Sequence, residues 1–101
     1  MSMGKPVIAT NYSGHTQFCD AMNCALVDIE KTEPAFDGVW FDGKVGEWAS
    51  LGQDQVKQLA KHMRNVYEMW KANGQVVNPA GIETANKFTW KNSAEKLLGV
   101  L

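Results

Sequence analysis

Residues 6–14 read PVIATNYSG, and this stretch decides the fold class of the chain. The apolar run from Val7 to Thr10 is rich in β-branched residues and too short for a helix, and it is bounded by Pro6 and the turn-forming residues 11–14. The run lacks the apolar–polar alternation of a half-exposed strand. We therefore predict a buried strand that is covered on both faces, as in a parallel sheet.

The rest of the N-terminal half contains a second apolar run and an aromatic segment. Residues 24–27 predict another short strand, and one or two helical turns are predicted between Thr16 and Met22. The aromatic loop, residues 34–49, alternates aromatic residues with glycines, which favours an ordered loop or a hairpin that turns at Asp42-Gly43. Because exposed aromatic side chains are costly, we expect this loop to pack against the remaining chain.

Residues 50–101 read as helix with two interruptions. A long helix is predicted over 52–72, with Ser50 and Gln53 as a capping box and Asn73-Gly74 as the stop signal. Its apolar side chains recur every three or four residues: Val56, Leu59, Ala60, Met63, Val66, Tyr67 and Trp70.

Two shorter helices are predicted after the long one. The first runs from the cap at Asn78-Pro79 to about Phe88, and the second runs over 90–98 with Thr89 as its cap. The expected buried side of the last helix consists of Ala94, Leu97, Leu98 and Leu101. We expect one α/β domain over residues 1–101, with a strand and loop part (1–50) and a helical part (50–101). It has two or three short strands, including a parallel pair, and three to four helices.

Composition excludes several classes of protein. The chain has 101 residues, of which 45% are hydrophobic and 21% are charged, as in a globular domain. A net charge of −1 without a basic run argues against nucleic acid as a partner. No apolar run is long enough for a transmembrane segment and no signal peptide opens the chain, so the two cysteines predict reduced thiols in a cytoplasmic protein.

Candidate catalytic and metal-binding side chains are few. His15 lies four residues before Cys19 and could serve as its base, but no carboxylate is spaced to orient that histidine. Cys24 and His62 do not complete a recognisable zinc spacing. Ordinary thiols remain the favoured interpretation, and we assign no catalytic residue, no metal ligand and no cofactor.

The aromatic loop has two interpretations. Asp37, Asp42 and Glu47 could form a carboxylate cluster, although solvated loop acids are commoner. The aromatic rings of the loop could stack on a sugar or a base, although core or interface packing is favoured. The glycines do not form a phosphate-binding motif, so composition and spacing by themselves name no reaction.

A family resemblance rests on several motifs in the right order. Residues 4–14, GKPVIATNYSG, resemble the G-K-P-V-I-A-T-x-x-S-G segment of group 1 retaining glycosyltransferases of the GT-B architecture. Residues 23–27 stand where that family has N-G-x-L-V, and residues 47–50 resemble its W-A-E-P stretch. Residues 88–98 match the closing F-S-W-x-x-x-A-x-x-L-L helix.

The resemblance implies a partial Rossmann-like half-domain that binds a nucleotide-sugar. It places the start of this chain just after the second donor-site glutamate of the family, so the chain alone is expected to lack catalytic activity. The substrate-binding positions that it implies are Thr10, Ser13, Gly14 and His15. The alternative for these residues is an ordinary turn with a satisfied serine hydroxyl.

The same resemblance predicts an uncovered surface. A first strand without its usual neighbour and an apolar helix face without a cover are expected to lead to a homo-oligomer, or to a rearranged aromatic loop that fills the gap. The rival function is a free-standing, non-enzymatic oligomeric module that descends from a glycosyltransferase remnant. An enzyme that uses Cys19 and His15 is a more distant alternative.

Overall fold

The structure is a computed structural model that describes every residue from 1 to 101. It is a mixed α/β fold with four strands in two small sheets. In chain order the elements are β1 (Ile8–Thr10), a 3-10 turn (Gly14–Gln17), β2 (Ala25–Val27), β3 (Thr32–Phe36), β4 (Asp42–Ala49), α1 (Gln53–Asn73), α2 (Pro79–Lys87) and α3 (Trp90–Val100).

The two short apolar runs form the predicted parallel pair. Ile8 lies opposite Ala25, and Thr10 lies opposite Val27. Between the strands, the expected helical turns reduce to the 3-10 turn over Gly14–Gln17, earlier in the chain than predicted. The parallel pair is therefore confirmed, and each strand is one residue shorter than its apolar run.

The aromatic loop is an antiparallel hairpin, but its turn is not the predicted one. The chain reverses over residues 37–41, where the carboxylate of Asp37 accepts hydrogen bonds from three successive backbone N–H groups. Asp42-Gly43 instead lies inside β4. One side chain that satisfies three donors stabilises the longer turn in place of a two-residue one.

The hairpin does not pack against the remaining chain, so that expectation was wrong. No helix lies extensively over either of its strands, and 86% of the surface of Trp40 is exposed. The hydroxyl of Tyr12 reaches the hairpin by donating to the Glu47 carbonyl at 3.3 Å. The aromatic side chains of this hairpin therefore stay largely exposed, because no apolar element lies close enough to cover them.

The helix ends follow local sequence signals, with one correction. α1 begins after Gly52, whose N–H donates to the Gln55 side chain at 2.8 Å, and not at a Ser50 cap. The N–H of Ser50 instead donates to the Lys31 carbonyl at the end of the hairpin. Gly74 at φ 71° ends the helix as predicted.

The predicted caps of the two later helices are confirmed. The Asn78 side chain accepts from the N–H of Gly81 at 3.0 Å, and the Thr89 hydroxyl accepts from the N–H of Asn92 at 3.1 Å. Both residues satisfy a backbone donor that the first helical turn leaves free. Short-range signals therefore place the starts of α2 and α3 correctly.

The chain is flat and has little core. Its radius of gyration is 17.1 Å, whereas a compact domain of this length has about 13 Å. Only seven residues are buried, and the expected buried side of α3 is exposed at Leu97, Leu98 and Leu101. No helix or strand lies extensively against α3, so its apolar side stays largely uncovered within the chain. None of the helices combines the length and apolar character needed to cross a membrane.

Candidate functional site

The carboxyl ends of β1 and β2 meet at one edge of the parallel pair. β1 ends at Thr10, and the next backbone N–H, that of Asn11, donates to the Val27 carbonyl at 2.8 Å. Open α/β sheets bind their ligands beyond the carboxyl ends of their strands. We call the segment at the end of β1, residues 10–17, the β1 loop, and it contains all four residues predicted to bind substrate.

Polar side chains of α1 hold this edge in place. The N–H of Asp28 donates to the Gln58 side chain at 2.8 Å, and the Asp28 carbonyl accepts from Gln55 at 3.1 Å. His62 contacts the Leu26 carbonyl at 2.8 Å through Nε2, which must carry the proton because a carbonyl only accepts. Sequence reasoning missed these roles, because nothing in the helical pattern indicates which backbone a glutamine will reach.

Ser13 is the most strained residue of the β1 loop. Its backbone, at φ 72° and ψ −156°, occupies a region that is nearly restricted to glycine, and no other non-glycine residue of the chain has a positive φ. Such a conformation costs about 1–3 kcal/mol and persists where the surroundings enforce it. At this position Thr16 enforces it, because both its N–H and its hydroxyl donate to the Ser13 carbonyl, at 3.1 and 2.6 Å.

The hydroxyl of Ser13 is available to a ligand. It does not cap the 3-10 turn that follows, and Ser13 is exposed. The next residue, Gly14, has a negative φ and no atom within 4 Å of the place where a Cβ would stand. The backbone of the loop is therefore open to close approach at this point.

His15 folds back onto the end of β1. Its Nε2 contacts the carbonyl of Thr10 and lies 3.5 Å from the Thr10 hydroxyl. The ring therefore carries its proton on Nε2, and in the neutral ring Nδ1 is the acceptor. The structure thus brings Thr10 and His15 into contact, with Ser13 and Gly14 in the turn between them.

The thiol alternative is disfavoured by the burial of its cysteine. Nε2 of His15 is engaged with Thr10, and both cysteines are free, with Cys19 buried and Cys24 half-buried. Burial, followed by the neighbouring Cys19, raises the pKa of Cys24 to about 12. A thiol with so high a pKa is a poor nucleophile near neutral pH.

The three acids of the aromatic loop do not form a cluster. Asp42 accepts from the N–H of Lys44 at 2.9 Å, and Glu47 accepts from the hydroxyl of Thr32 at 2.9 Å. Hydrogen bonds from backbone N–H groups, that of Phe41 first, lower the pKa of Asp37. No three potential metal ligands come together anywhere in the chain.

A buried asparagine network beside the β1 loop was also missed. The Asn23 side chain donates to the Phe18 carbonyl and to the Thr84 hydroxyl, both at 2.8 Å, and accepts from the N–H of Asp20 at 2.9 Å. Asn78, predicted only as a helix cap, also donates to the Asn23 carbonyl at 2.8 Å. The two residues lie far apart in the sequence, and no spacing rule links them.

A groove near the start of β1 lies apart from the β1 loop. Its volume is about 500 Å³, and its lining includes Val7, Phe18 and Phe88. This lining is mostly apolar, and none of the four predicted site residues contributes to it. The four predicted site residues therefore lie outside this groove.

No protein-family model, curated protein or solved structure matches this chain. The resemblance to group 1 glycosyltransferases therefore stays a prediction, carried by the motifs of the chain itself.

Proposed function

We propose that this chain is a C-terminal segment of the nucleotide-sugar-binding domain of a GT-B retaining glycosyltransferase, forming a partial Rossmann-like half-domain. One observation carries the proposal. The residues of the family-like motif lie together at the carboxyl end of a parallel strand pair, in a loop with one strained residue and an open backbone. Ligand sites on parallel sheets occur at such edges.

The β1 loop supplies neutral hydrogen-bonding groups. Ser13 offers a hydroxyl, His15 offers Nδ1, and the backbone at Gly14 is accessible. These groups suit sugar hydroxyls and phosphate oxygens. Residues 10–17 contain no Lys or Arg, so the loop does not neutralise a diphosphate. Because transfer requires that neutralisation, the chain contributes to donor binding and is not catalytically competent alone.

Isothermal titration of the chain with UDP, GDP and their sugar nucleotides tests this proposal. We expect saturable binding with a Kd of about 1 mM or tighter. His15→Ala removes the ring and should abolish the heat. Ser13→Gly removes the hydroxyl and relieves the backbone strain, so binding should weaken while the unfolding free energy rises by about 1 kcal/mol.

Ser93→Ala is the matched control, because it removes a hydroxyl from the exposed helix α3. It should leave nucleotide binding unchanged. The proposal fails if the chain gives no heat with any of these nucleotides, or if the Ser93 variant weakens binding as much as the Ser13 variant.

A second candidate function is a non-enzymatic oligomeric module derived from a glycosyltransferase remnant. The large exposed apolar surface, with only seven buried residues in the chain, favours it. Self-association without any nucleotide heat would support this candidate over the first.

A further inference from the structure

The apolar face of α1 is not the face that packs on the sheet. Five residues of this face form what we call the apolar stripe: Val56, Leu59, Met63, Tyr67 and Trp70. The sheet is contacted mainly by the polar residues His62 and Gln55, with Val66 as the one half-buried apolar residue of α1 beside them. His62 and Met63 are consecutive, so the two faces lie about 100° apart around the helix. Each stripe residue consequently exposes between 42% and 58% of its surface.

The apolar stripe borders the open side of β1. One groove lies between Ile8 and the Val56–Leu59 end of the stripe, and a second lies between Ile8 and the Met63–Trp70 end. β1 has β2 on one side and no strand on the other. Stripe and strand edge therefore form one continuous uncovered surface.

We propose that a second copy of this chain covers the apolar stripe about a two-fold axis through Met63, with the two α1 helices antiparallel. The stripe is symmetric about that residue, because Leu59 and Tyr67 are each four residues away. Val56 and Trp70 are each seven residues away. An isologous interface requires this self-complementary spacing.

The symmetric pairing also matches side-chain sizes. The small Val56 faces the large Trp70 of the other copy, Leu59 faces Tyr67, and Met63 meets its own equivalent. Facing positions that alternate small and large side chains interdigitate well. The aromatic end of the stripe is already ordered, since the Tyr67 and Trp70 rings lie 6.1 Å apart.

Charge favours the antiparallel arrangement over a parallel one. About the Met63 axis, Lys57 lies level with Met69 of the other copy, and Lys61 lies level with Asn65. In a parallel pair, Arg64, which is next to Met63, would lie level with its own equivalent. Like charges at the same level destabilise a helix pair, whereas the antiparallel register places Arg64 level with His62 and no Lys or Arg level with another.

The exposed area is sufficient for a specific but modest interface. The exposed fractions of the five stripe residues correspond to roughly 100 Å² each, or about 1,000 Å² in total over two copies. That area lies at the lower limit of specific interfaces, so we expect a weak dimer whose population depends on concentration.

Sedimentation of the whole chain from about 1 to 200 μM tests the proposal. The wild-type chain should convert from monomer to dimer over this range. Met63→Glu places two carboxylates together on the axis and should weaken dimerisation at least tenfold. Met22→Glu, at a methionine that is 82% exposed and lies outside α1, should leave it unchanged. Circular dichroism checks that both variants fold.

Cross-linking keeps the test valid if Met63→Glu fails to fold. In Met63→Cys, mild oxidation should join position 63 of one copy to position 63 of another, as read by peptide mass mapping. Lys61→Cys points away from the stripe and should not cross-link in this way. A wild-type chain that stays monomeric at about 200 μM would overturn the proposal. So would a dimer that survives Met63→Glu, or equal cross-linking at positions 61 and 63.

Discussion

The parallel pair and the hairpin are both two-stranded sheets, but they differ in what covers them. The strands of the parallel pair are three residues long, yet all six residues are half-buried or buried. The hairpin has longer strands and more aromatic residues, and most of its surface is exposed. Burial in this chain therefore follows the positions of the helices and not the number of large apolar side chains in a strand.

The two sheets also differ in how far apart in the sequence the residues lie whose side-chain hydrogen bonds stabilise them. Side chains from distant segments fix the parallel pair, as His62 does at Leu26 and Thr84 does at Asn23. The hairpin is stabilised by bonds among its own residues, such as that from the Trp48 indole to Glu33 at 3.1 Å. The parallel pair should therefore unfold only when the whole chain unfolds. A substitution or a pH change in the hairpin should instead affect the hairpin alone.

Asn23→Ala should have the largest effect. It removes a buried side chain and leaves the Phe18 carbonyl, the Asp20 N–H and the Thr84 hydroxyl without this partner in a partly buried environment. We expect the free energy of unfolding in urea to fall by about 3 kcal/mol. Asn11→Ala, which removes one exposed bond of 3.4 Å, serves as the control and should cost far less. Equal losses in the two variants would contradict the importance of the buried Asn23 side chain.

Acid should loosen the hairpin turn without unfolding the parallel pair. The backbone N–H groups of residues 39–41 lower the pKa of Asp37 below its ordinary value of 3.8. A lowered pKa means that the stabilisation is complete above 3.8 and is lost as the pH falls through the folded-state pKa. Amide chemical shifts of Val39, Trp40 and Phe41 should therefore change together below that pH.

Asp37→Asn is the control for this titration. The amide keeps one carbonyl oxygen as an acceptor but has no proton to gain in this range. The same three amide shifts should stay constant with pH in the variant. A titration that persists in Asp37→Asn would assign the effect to another acid.

Trp40→Ala should have the smallest effect. The side chain is almost fully exposed at the hairpin tip, so its removal uncovers little apolar surface. We expect the free energy of unfolding to change by less than about 0.5 kcal/mol. A loss of about 2 kcal/mol or more would show that the tip packs against something, and would restore the expectation that the aromatic loop is covered.

Local signals predicted the parts of the fold that depend on near neighbours. Asn78 and Thr89 were identified as caps, and Gly74 as the end of α1, because each acts on backbone groups within four residues. The parallel pair followed from two short apolar runs that are bounded by turns. The substrate-binding positions came from a motif, and the structure adds that Thr10 and His15 touch while Ser13 is strained.

The sequence by itself determined the parallel pair, the three helices and most of the helix ends, whereas it left the hairpin open as a loop or a hairpin and did not indicate that the chain has four strands. Only the tertiary structure decided which face of α1 meets the sheet and which elements stay uncovered. The apolar periodicity of α1 predicted packing through Met63, but the free backbone groups of Leu26 and Asp28 bind Gln55, Gln58 and His62 instead. A pattern along one helix cannot specify this orientation, because it depends on backbone donors and acceptors about 30 residues away in the chain.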